Sequence, residues 1–132
     1  MQLRCSIPKG KKVISCHIIA KETSKFGEML FRASLESLGA FHDEIVLIDN
    51  GCSFNVRAMY KDVLGKRGKP YKIDILEGNR TYSELRNQAL KLMDPNAKWF
   101  HWVDSDELYF VDQLEHLRPL LDRNDVSVVF SQ

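Results

Sequence analysis

The sequence predicts an α/β domain with three layers, in which a doubly wound, mostly parallel sheet carries helices on both faces. Short apolar runs of strand length alternate with amphipathic runs of helix length from residue 13 onward. Polar clusters follow three of the predicted strands directly, and 132 residues suffice for one core. We therefore expect a single domain over residues 1–132, with residues 1–12 as an N-terminal extension.

The first strand and the first helix are predicted before residue 40. Val13 to Ile19 is a short, apolar, β-branched run, which is typical of a buried strand. Phe26 to Leu38 carries apolar residues at helical spacing, and Gly39 is the usual stop just past a helix end. The predicted apolar stripe of this helix comprises Phe26, Leu30, Phe31, Ala33, Leu35 and Leu38.

The middle of the chain supplies two further strands with a helix between them. Glu44 to Ile48 is an apolar, β-branched run that ends at Asp49 and is followed by a turn signal, Asn50-Gly51. Val56 to Leu64 is predicted as the second helix. Tyr71 to Leu76 is predicted as the third strand.

A third helix is predicted from Ser83 to Met93. We expect Ser83 to be its N-cap, because a serine hydroxyl can accept a hydrogen bond from the first N–H groups of a helix. Arg86 lies three residues on, so no capping box starts at Ser83.

The last third of the chain predicts a strand, a helix and a final strand. Trp99 to Val103 is the fourth strand, and its Trp99, Phe100 and Trp102 are expected in the core. The alternative is that a tryptophan near the mouth of the site stacks on a base. Val111 to Leu121 is predicted as a helix that Pro119 should end or kink near Arg118. Val126 to Phe130 is the fifth strand.

The three polar clusters all lie where a predicted strand ends. They are Ala20-Lys21-Glu22, Asp49-Asn50-Gly51 and Asp104-Ser105-Asp106. A strand order of 3-2-1-4 would bring them together, and ligands of open parallel sheets bind outside the carboxyl ends of the strands. This edge of the sheet is the predicted site.

Asp104 and Asp106 are the most informative residues of that edge. A carboxylate without a partner beside an apolar core costs free energy. The Asp-x-Asp step after an aromatic strand therefore predicts that these carboxylates bind a ligand. Hard divalent cations commonly bind one or two carboxylates together with substrate phosphates. The alternative is a helix N-cap, a position that Asp and Ser favour.

Composition restricts the class of partner. A formal net charge of +1 gives no field that favours nucleic acid or an anionic membrane, and no apolar run reaches membrane-spanning length. Cys5, Cys16 and Cys52 form no metal-binding pattern and leave one thiol unpaired in any disulfide scheme, so we expect a reduced, cytoplasmic compartment. His17 and His101 are interpreted as structural histidines.

Four segments resemble, in order, motifs of family 2-type glycosyltransferases with the GT-A fold. They are Ile18 to Glu22, His42 to Ser53, Tyr82 to Leu90 and Trp102 to Glu107. The last segment, WVDSDE, is similar to the Asp-x-Asp-Glu metal step of that family. The resemblance implies that residues 1–132 are the N-terminal, nucleotide-sugar-binding half of such a protein, truncated relative to a full GT-A domain.

The resemblance also implies roles for individual residues. It implies a nucleotide-sugar site formed by Ala20, Glu22, Asp49, Arg86 and Asp104, and a metal site formed by Asp104 and Asp106. Asp49 would accept an N–H of the base, with uracil favoured over the bases of GDP or dTDP. Arg86 would help to hold the nucleotide, and Asp106 would bind Mn²⁺ or Mg²⁺ bridging the two phosphates.

The implied enzyme is a metal-dependent, hexosyltransferase-like protein that transfers a sugar from a UDP-sugar. Inverting members of the family take their catalytic base from the later, acceptor-binding half, so no base is assigned in this chain. The alternative is a non-catalytic module that binds a nucleotide sugar or a partner, for example as a homodimer. Another doubly wound phosphate-binding enzyme is disfavoured, because no glycine-rich loop follows the first strand.

Overall fold

The computed structural model describes residues 13–38 and 41–126 of the chain. Within these residues lies one four-stranded sheet in the order β3-β2-β1-β4, with every pair of neighbours parallel. The strands are β1 (Val13–Ala20), β2 (Glu44–Asp49), β3 (Tyr71–Ile75) and β4 (Ala97–Asp104). The predicted fold class and strand order are therefore confirmed.

Helices cover both faces of the sheet. They are α1 (Lys25–Leu38), α2 (Val56–Val63), α3 (Tyr82–Leu92), α4 (Val111–Glu115) and α5 (Arg118–Leu121), with one 3-10 turn at Gly65–Arg67. Helices α1 and α2 pack on one face in a cluster with Cys16, Ile18 and Leu47, and α4 and α5 extend the same layer. Helix α3 packs on the opposite face, against Val46 and Ile48. Among the described helices, none has the length and apolar character needed to cross a membrane.

The buried face of α1 differs from the prediction. Phe26 is 66% exposed, and the buried stripe consists of Gly27, Phe31, Ser34, Leu35 and Leu38. Phe31, Leu35 and Leu38 of this stripe pack in the cluster that includes the sheet residues Cys16 and Ile18. Phe26 precedes Gly27 by about 100° around the helix axis and is thereby turned to solvent. The predicted stop at Gly39 lies outside the described residues.

Helix α3 begins earlier than predicted, and its N-cap is Thr81 rather than Ser83. The Thr81 hydroxyl accepts a hydrogen bond from the Glu84 N–H at 3.2 Å. Thr81 and Glu84 also have the spacing of a capping box, so the sequence signal lay two residues before the predicted position.

The helix predicted over residues 111–121 is two short helices instead. The break lies at His116 and Leu117, before Pro119, which occupies the first turn of α5. Proline is tolerated there because its missing N–H would have no intrahelical partner. Residues 127–130 of the predicted fifth strand lie outside the described residues, as does the extension 1–12.

The aromatic residues of β4 are divided between the two faces. Trp99 packs with the α4–α5 cluster and donates from Nε1 to the Leu121 carbonyl at 2.8 Å, as expected of a core residue. Phe100 and Trp102 are 43% and 48% exposed, so their predicted place in the core is wrong. Both project from β4, the edge strand of the described sheet, on the face where α3 packs over β2 and β1 and leaves β4 uncovered.

Candidate functional site

The loops after β1, β2 and β4 meet at the carboxyl edge of the sheet. Strand register pairs Ala20 with Asp49 and Ile19 with Asp104. The Ser53 N–H donates to the Glu22 carbonyl at 2.9 Å, which joins the first two loops. The predicted convergence of the three polar clusters at one edge is therefore confirmed.

A cleft of about 400 Å³ opens between these loops and the start of α3. Six of its lining side chains carry a formal charge, three of each sign. The acids are Glu22, Asp104 and Asp106, and the bases are Lys21, Arg80 and Arg86. The remaining lining residues are Ile19, Asn50, Tyr82, Leu85, Val103 and Ser105. The cleft thus unites Glu22, Arg86, Asp104 and Asp106 of the predicted site.

The Asp-x-Asp step lies in a tight turn and not at a helix N-terminus. The Glu107 N–H donates to the Asp104 carbonyl at 3.1 Å, and the Asp104 N–H donates to the Glu107 carboxylate at 3.2 Å. Glu107 also accepts a hydrogen bond from the Tyr109 hydroxyl. The next helix begins only at Val111. The N-cap interpretation of these carboxylates is therefore wrong.

Ala20 and Asp49 lie behind the cleft and do not line it. The Ala20 side chain is fully buried in the core between the sheet, α1 and α2. Asp49 is also buried, and its Oδ1 accepts hydrogen bonds from the N–H groups of Gly51 and Cys52 at 3.0 and 2.9 Å. Asp49 thus shapes the loop, and Gly51 adopts a positive φ of 110° within it.

Asn50 lines the cleft, whereas the sequence analysis placed it in a polar cluster of the predicted edge but assigned it no role. Its Nδ2 donates to the Leu76 carbonyl at 2.6 Å and to the Gly78 carbonyl at 3.3 Å. Both amide hydrogens are thereby used, and none of the hydrogen bonds among the described residues ends on Oδ1, so Asn50 keeps a free acceptor on a residue that lines the cleft. The alternation of side chains at the end of β2 is the signal that identifies Asn50, because adjacent residues face opposite sides.

The basic residues of the cleft come from two directions. Lys21 follows β1, whereas Arg80 and Arg86 belong to the start of α3 and the loop before it. Arg80 donates from Nε to the Glu77 carbonyl at 3.2 Å. The Arg86 guanidinium carbon lies 4.0 Å from the centre of the Trp102 ring. Lys21 lies in one of the three predicted polar clusters and Tyr82 begins the third resembling segment, but neither was assigned a role. Arg80 was not predicted, because only the position of α3 in space relates it to the site.

Cys52 lies in the loop beside the site but is an inert thiol. Burial raises its pKa to about 12, and the negative charges of Asp49 and Glu22 act in the same direction. Its Sγ accepts the Glu22 N–H at 3.4 Å. A thiol that stays protonated at neutral pH is a poor nucleophile, so Cys52 serves to join the two loops.

The arrangement of carboxylates has the donor set that a phosphate-bound cation needs. The described residues contain no group of three or more His, Cys, Asp or Glu side chains that would hold a metal by themselves. Mg²⁺-type sites usually take only one or two carboxylates, with phosphates and water as the other ligands. Asp104 and Asp106, both exposed beside the cleft, fit that pattern.

A parallel α/β sheet with a charged cleft at the carboxyl ends of its strands defines a doubly wound, ligand-binding domain. Residues 25–132 match the model of glycosyl transferase family 2, and the chain belongs to this family. The resemblance carried by the four sequence motifs is thereby confirmed. No curated protein matches the chain.

Solved structures share the fold at low sequence identity. TarS 1–349 from S. aureus superposes with a TM-score of 0.62 at 19% identity, over 83% of this chain and 32% of TarS 1–349. The same protein in complex with UDP-GlcNAc gives 0.61 at 18%, over 90% of this chain and 37% of the other. A 4-diphosphocytidyl-2C-methyl-D-erythritol synthase from Anaerococcus prevotii gives 0.58 at 20%, over 84% and 52%. The chain thus spans about a third of the length of TarS 1–349.

Proposed function

We propose that this domain binds a UDP-sugar together with Mn²⁺ or Mg²⁺ and supplies the donor half of a glycosyltransferase. The observation that carries the proposal is the cleft in which Asp104 and Asp106 lie close to Arg86 and Lys21 at the carboxyl edge of a family 2 sheet. Support also comes from TarS, which shares the fold and has been solved with UDP-GlcNAc.

In this proposal Asn50, and not Asp49, recognises the base. The two carbonyls that accept from the Asn50 amide leave its Oδ1 as an acceptor only. A uracil ring has one imide N–H, which an acceptor fixed at a strand end would bind. The role expected of Asp49 is thereby reduced to holding the loop through the N–H groups of Gly51 and Cys52.

The diphosphate would lie between the acidic turn and the basic residues. Asp104 and Asp106 would hold the cation, and Arg86 and Lys21 would donate to phosphate oxygens. When bound, the cation stabilises the negative charge that develops on the departing diphosphate. Glu107 keeps the turn in place through the Asp104 N–H, so the carboxylates are positioned before the ligand arrives.

For the whole protein, the proposal is that it transfers the sugar to an acceptor and acts in the cytoplasm. The domain spans about a third of TarS 1–349, and the residues assigned above concern the donor alone. A non-catalytic, dimeric nucleotide-sugar module is the second candidate. It is favoured by the two half-exposed aromatic side chains, Phe100 and Trp102, on β4, which is an edge strand among the described residues.

Calorimetric titration with UDP, GDP and dTDP, each with Mn²⁺ and with a chelator, tests the proposal. We expect UDP to bind more tightly than GDP, and to bind more tightly with Mn²⁺, because the cation offsets the repulsion between diphosphate and carboxylates. The thymine of dTDP carries the same imide N–H as uracil, so equal binding of UDP and GDP is the result that would overturn the assignment of the base. Equal binding with Mn²⁺ and with chelator would overturn the metal site. Turnover of UDP-GlcNAc with added acceptors, measured on the whole protein because no catalytic base is assigned in this chain, then separates an enzyme from a binding module.

A further inference from the structure

A row of aromatic rings in contact, one pair stacked and the next tilted by 38°, leads from the sheet to the cleft on the α3 side of β1 and β4. We call His17, Phe100 and Trp102 the aromatic column. The rings of His17 and Phe100 are parallel within 9° at 5.3 Å, and the rings of Phe100 and Trp102 lie 5.5 Å apart. The Arg86 guanidinium covers the last ring at 4.0 Å. The column therefore ends on a cation that lines the cleft.

The buried end of the column is fixed by hydrogen bonds. The Ser15 hydroxyl donates to the Glu44 carboxylate at 2.7 Å and lies 3.1 Å from His17 Nε2. Because that hydroxyl hydrogen is already used, Nε2 must be the donor to Ser15. All three side chains are buried. The imidazole plane is thus held in one orientation, and Phe100 stacks on it.

His17 is neutral in this setting, so the column does not repel Arg86. Burial lowers the pKa of His17 to about 4, and the nearby positive charge of Arg86 acts in the same direction. A neutral ring stack below a guanidinium is the arrangement in which cation–π attraction operates.

The contact leaves the hydrogen-bonding capacity of Arg86 unused. Among the described residues, no carboxylate or carbonyl accepts a hydrogen bond from its guanidinium, although Glu22, Asp104 and Asp106 line the same cleft. A guanidinium has five N–H donors, and a ring below its plane leaves their in-plane directions open. The Trp102 ring therefore contacts the face of the Arg86 guanidinium, and the N–H groups at the edge of the guanidinium stay available to a ligand.

We propose that Trp102 is a positioning residue, which holds Arg86 over the cleft so that the guanidinium binds the anionic part of the donor rather than a neighbouring carboxylate. This inference rests on the proposed function, because it assigns a support to the phosphate-binding arginine of that site. Without the ring, Arg86 is free to turn to Asp104 or Glu22. An ion pair formed there would neutralise both the arginine and the acid that the site needs.

A double-mutant cycle on the 132-residue chain tests this role. UDP binding in Mn²⁺ is measured by calorimetry for the parent, Trp102→Leu, Arg86→Met and the double variant. We expect Trp102→Leu to weaken binding about three- to tenfold, the range of a cation–π contact near the surface. In the Arg86→Met background the same change should have almost no effect. Trp102→Phe, which keeps an aromatic face, should restore most of the affinity.

Phe110→Leu is the matched control, because Phe110 is another exposed aromatic residue and does not line the cleft. It should leave UDP binding unchanged. Equal losses from Trp102→Leu with and without Arg86 would show that Trp102 acts on the ligand or the fold directly, and would overturn the inference. UDP binding by Trp102→Leu as tight as by the parent would overturn it as well. A parent that binds no UDP would instead overturn the proposed function, and this inference with it.

Discussion

The Ser105 hydroxyl donates to the Glu22 carboxylate at 2.5 Å, so the acidic turn after β4 is joined to the loop after β1. The two residues are 83 positions apart in the chain. Ser105 is the middle residue of the Asp-x-Asp step, and its side chain points inward while the two aspartates lie exposed. The hydrogen bond therefore sets the position of both proposed metal ligands relative to β1.

Gly27→Ala should disturb this contact without unfolding the domain. A Cβ on Gly27 would lie 2.4 Å from Glu22 Oε2, which is the flexible end of a side chain. Glu22 must turn away, and its bond to Ser105 is lost. Alanine is favoured over glycine within a helix by about 1 kcal/mol, so we expect stability to change by less than that and UDP affinity to fall several-fold.

Chemical denaturation and calorimetry of the same Gly27→Ala preparation measure both effects. Ser105→Ala removes the same hydrogen bond from the other side and should weaken UDP binding to a similar extent. A Gly27→Ala protein that binds UDP as tightly as the parent would show that the Glu22–Ser105 contact does not position the turn.

Asp106→Asn should remove most of the gain in UDP affinity that Mn²⁺ provides. The amide keeps the shape of the carboxylate but not its charge, and hard divalent cations favour charged oxygen ligands. Asp106 is exposed in a turn, so the free energy of unfolding should stay within about 0.5 kcal/mol of the parent. Asp112→Asn alters an exposed acid that does not line the cleft and is the control. Titrations with Mn²⁺ and with chelator give the result, and an unchanged Mn²⁺ effect contradicts the prediction.

Asp49 and Asn50 lie at the end of β2. Their substitution should affect UDP affinity in the opposite order to that expected from their charge. Asp49→Asn keeps an oxygen that accepts from Gly51 and Cys52, so we expect a small loss of UDP affinity. Asn50→Ala removes the acceptor that faces the cleft and leaves the Leu76 and Gly78 carbonyls without their donor. We expect this change to cost about 1–3 kcal/mol in UDP binding, with some loss of stability.

Calorimetry with UDP in the presence of chelator separates this effect from metal binding. Asn50→Ala should weaken UDP with or without Mn²⁺, because the base lies apart from the phosphates. If Asp49→Asn weakens UDP more than Asn50→Ala does, the base is recognised by Asp49 and the assignment to Asn50 is wrong.

The alternation of strands and helices and the order of the sheet could be predicted from the sequence, because apolar periodicity and polar strand ends are local signals. Which side of a strand end faces the cleft is decided by register and by neighbouring loops. Strand alternation places Asp49 and Asn50 on opposite sides of the end of β2, but only the contacts with Gly51 and Leu76 show which side is the cleft. Arg80 was missed for a related reason, since the start of α3 joins the site only in space.

The exposure of Phe100 and Trp102 could not be predicted from the pattern of β4, which reads as a buried strand. Their exposure depends on where α3 lies across the sheet, and α3 packs over β2 and β1. An apolar run is compatible with a central or an edge strand. The position of the strand within the sheet, and not its composition, decides whether its aromatic side chains are exposed.

Association should follow from the position of β4 at the edge of the sheet that residues 13–38 and 41–126 form. Half-exposed aromatic side chains on an edge strand favour pairing or packing against another surface. We expect the 132-residue chain to form a dimer at high concentration, and sedimentation velocity over a range of concentrations measures this. Lys substitution of Phe100 should shift the equilibrium towards monomer. A monomer at every concentration would contradict the expectation and weaken the case for a dimeric module.

Stability should fall in mild acid because buried histidines resist protonation. Burial lowers the pKa of His17 to about 4 and that of His42 to about 3, whereas both titrate near 6.5 when unfolded. Between about pH 6.5 and the lowered value, the unfolded chain binds more protons than the folded chain, so unfolding becomes easier as the pH falls. His17 alone should contribute a loss of about 1 kcal/mol between pH 7.5 and 5.5. His17→Gln keeps a donor for Ser15 but cannot titrate, so denaturation at the two pH values should show a smaller loss for this variant. An equal loss in parent and variant would show that His17 is not a source of the acid sensitivity.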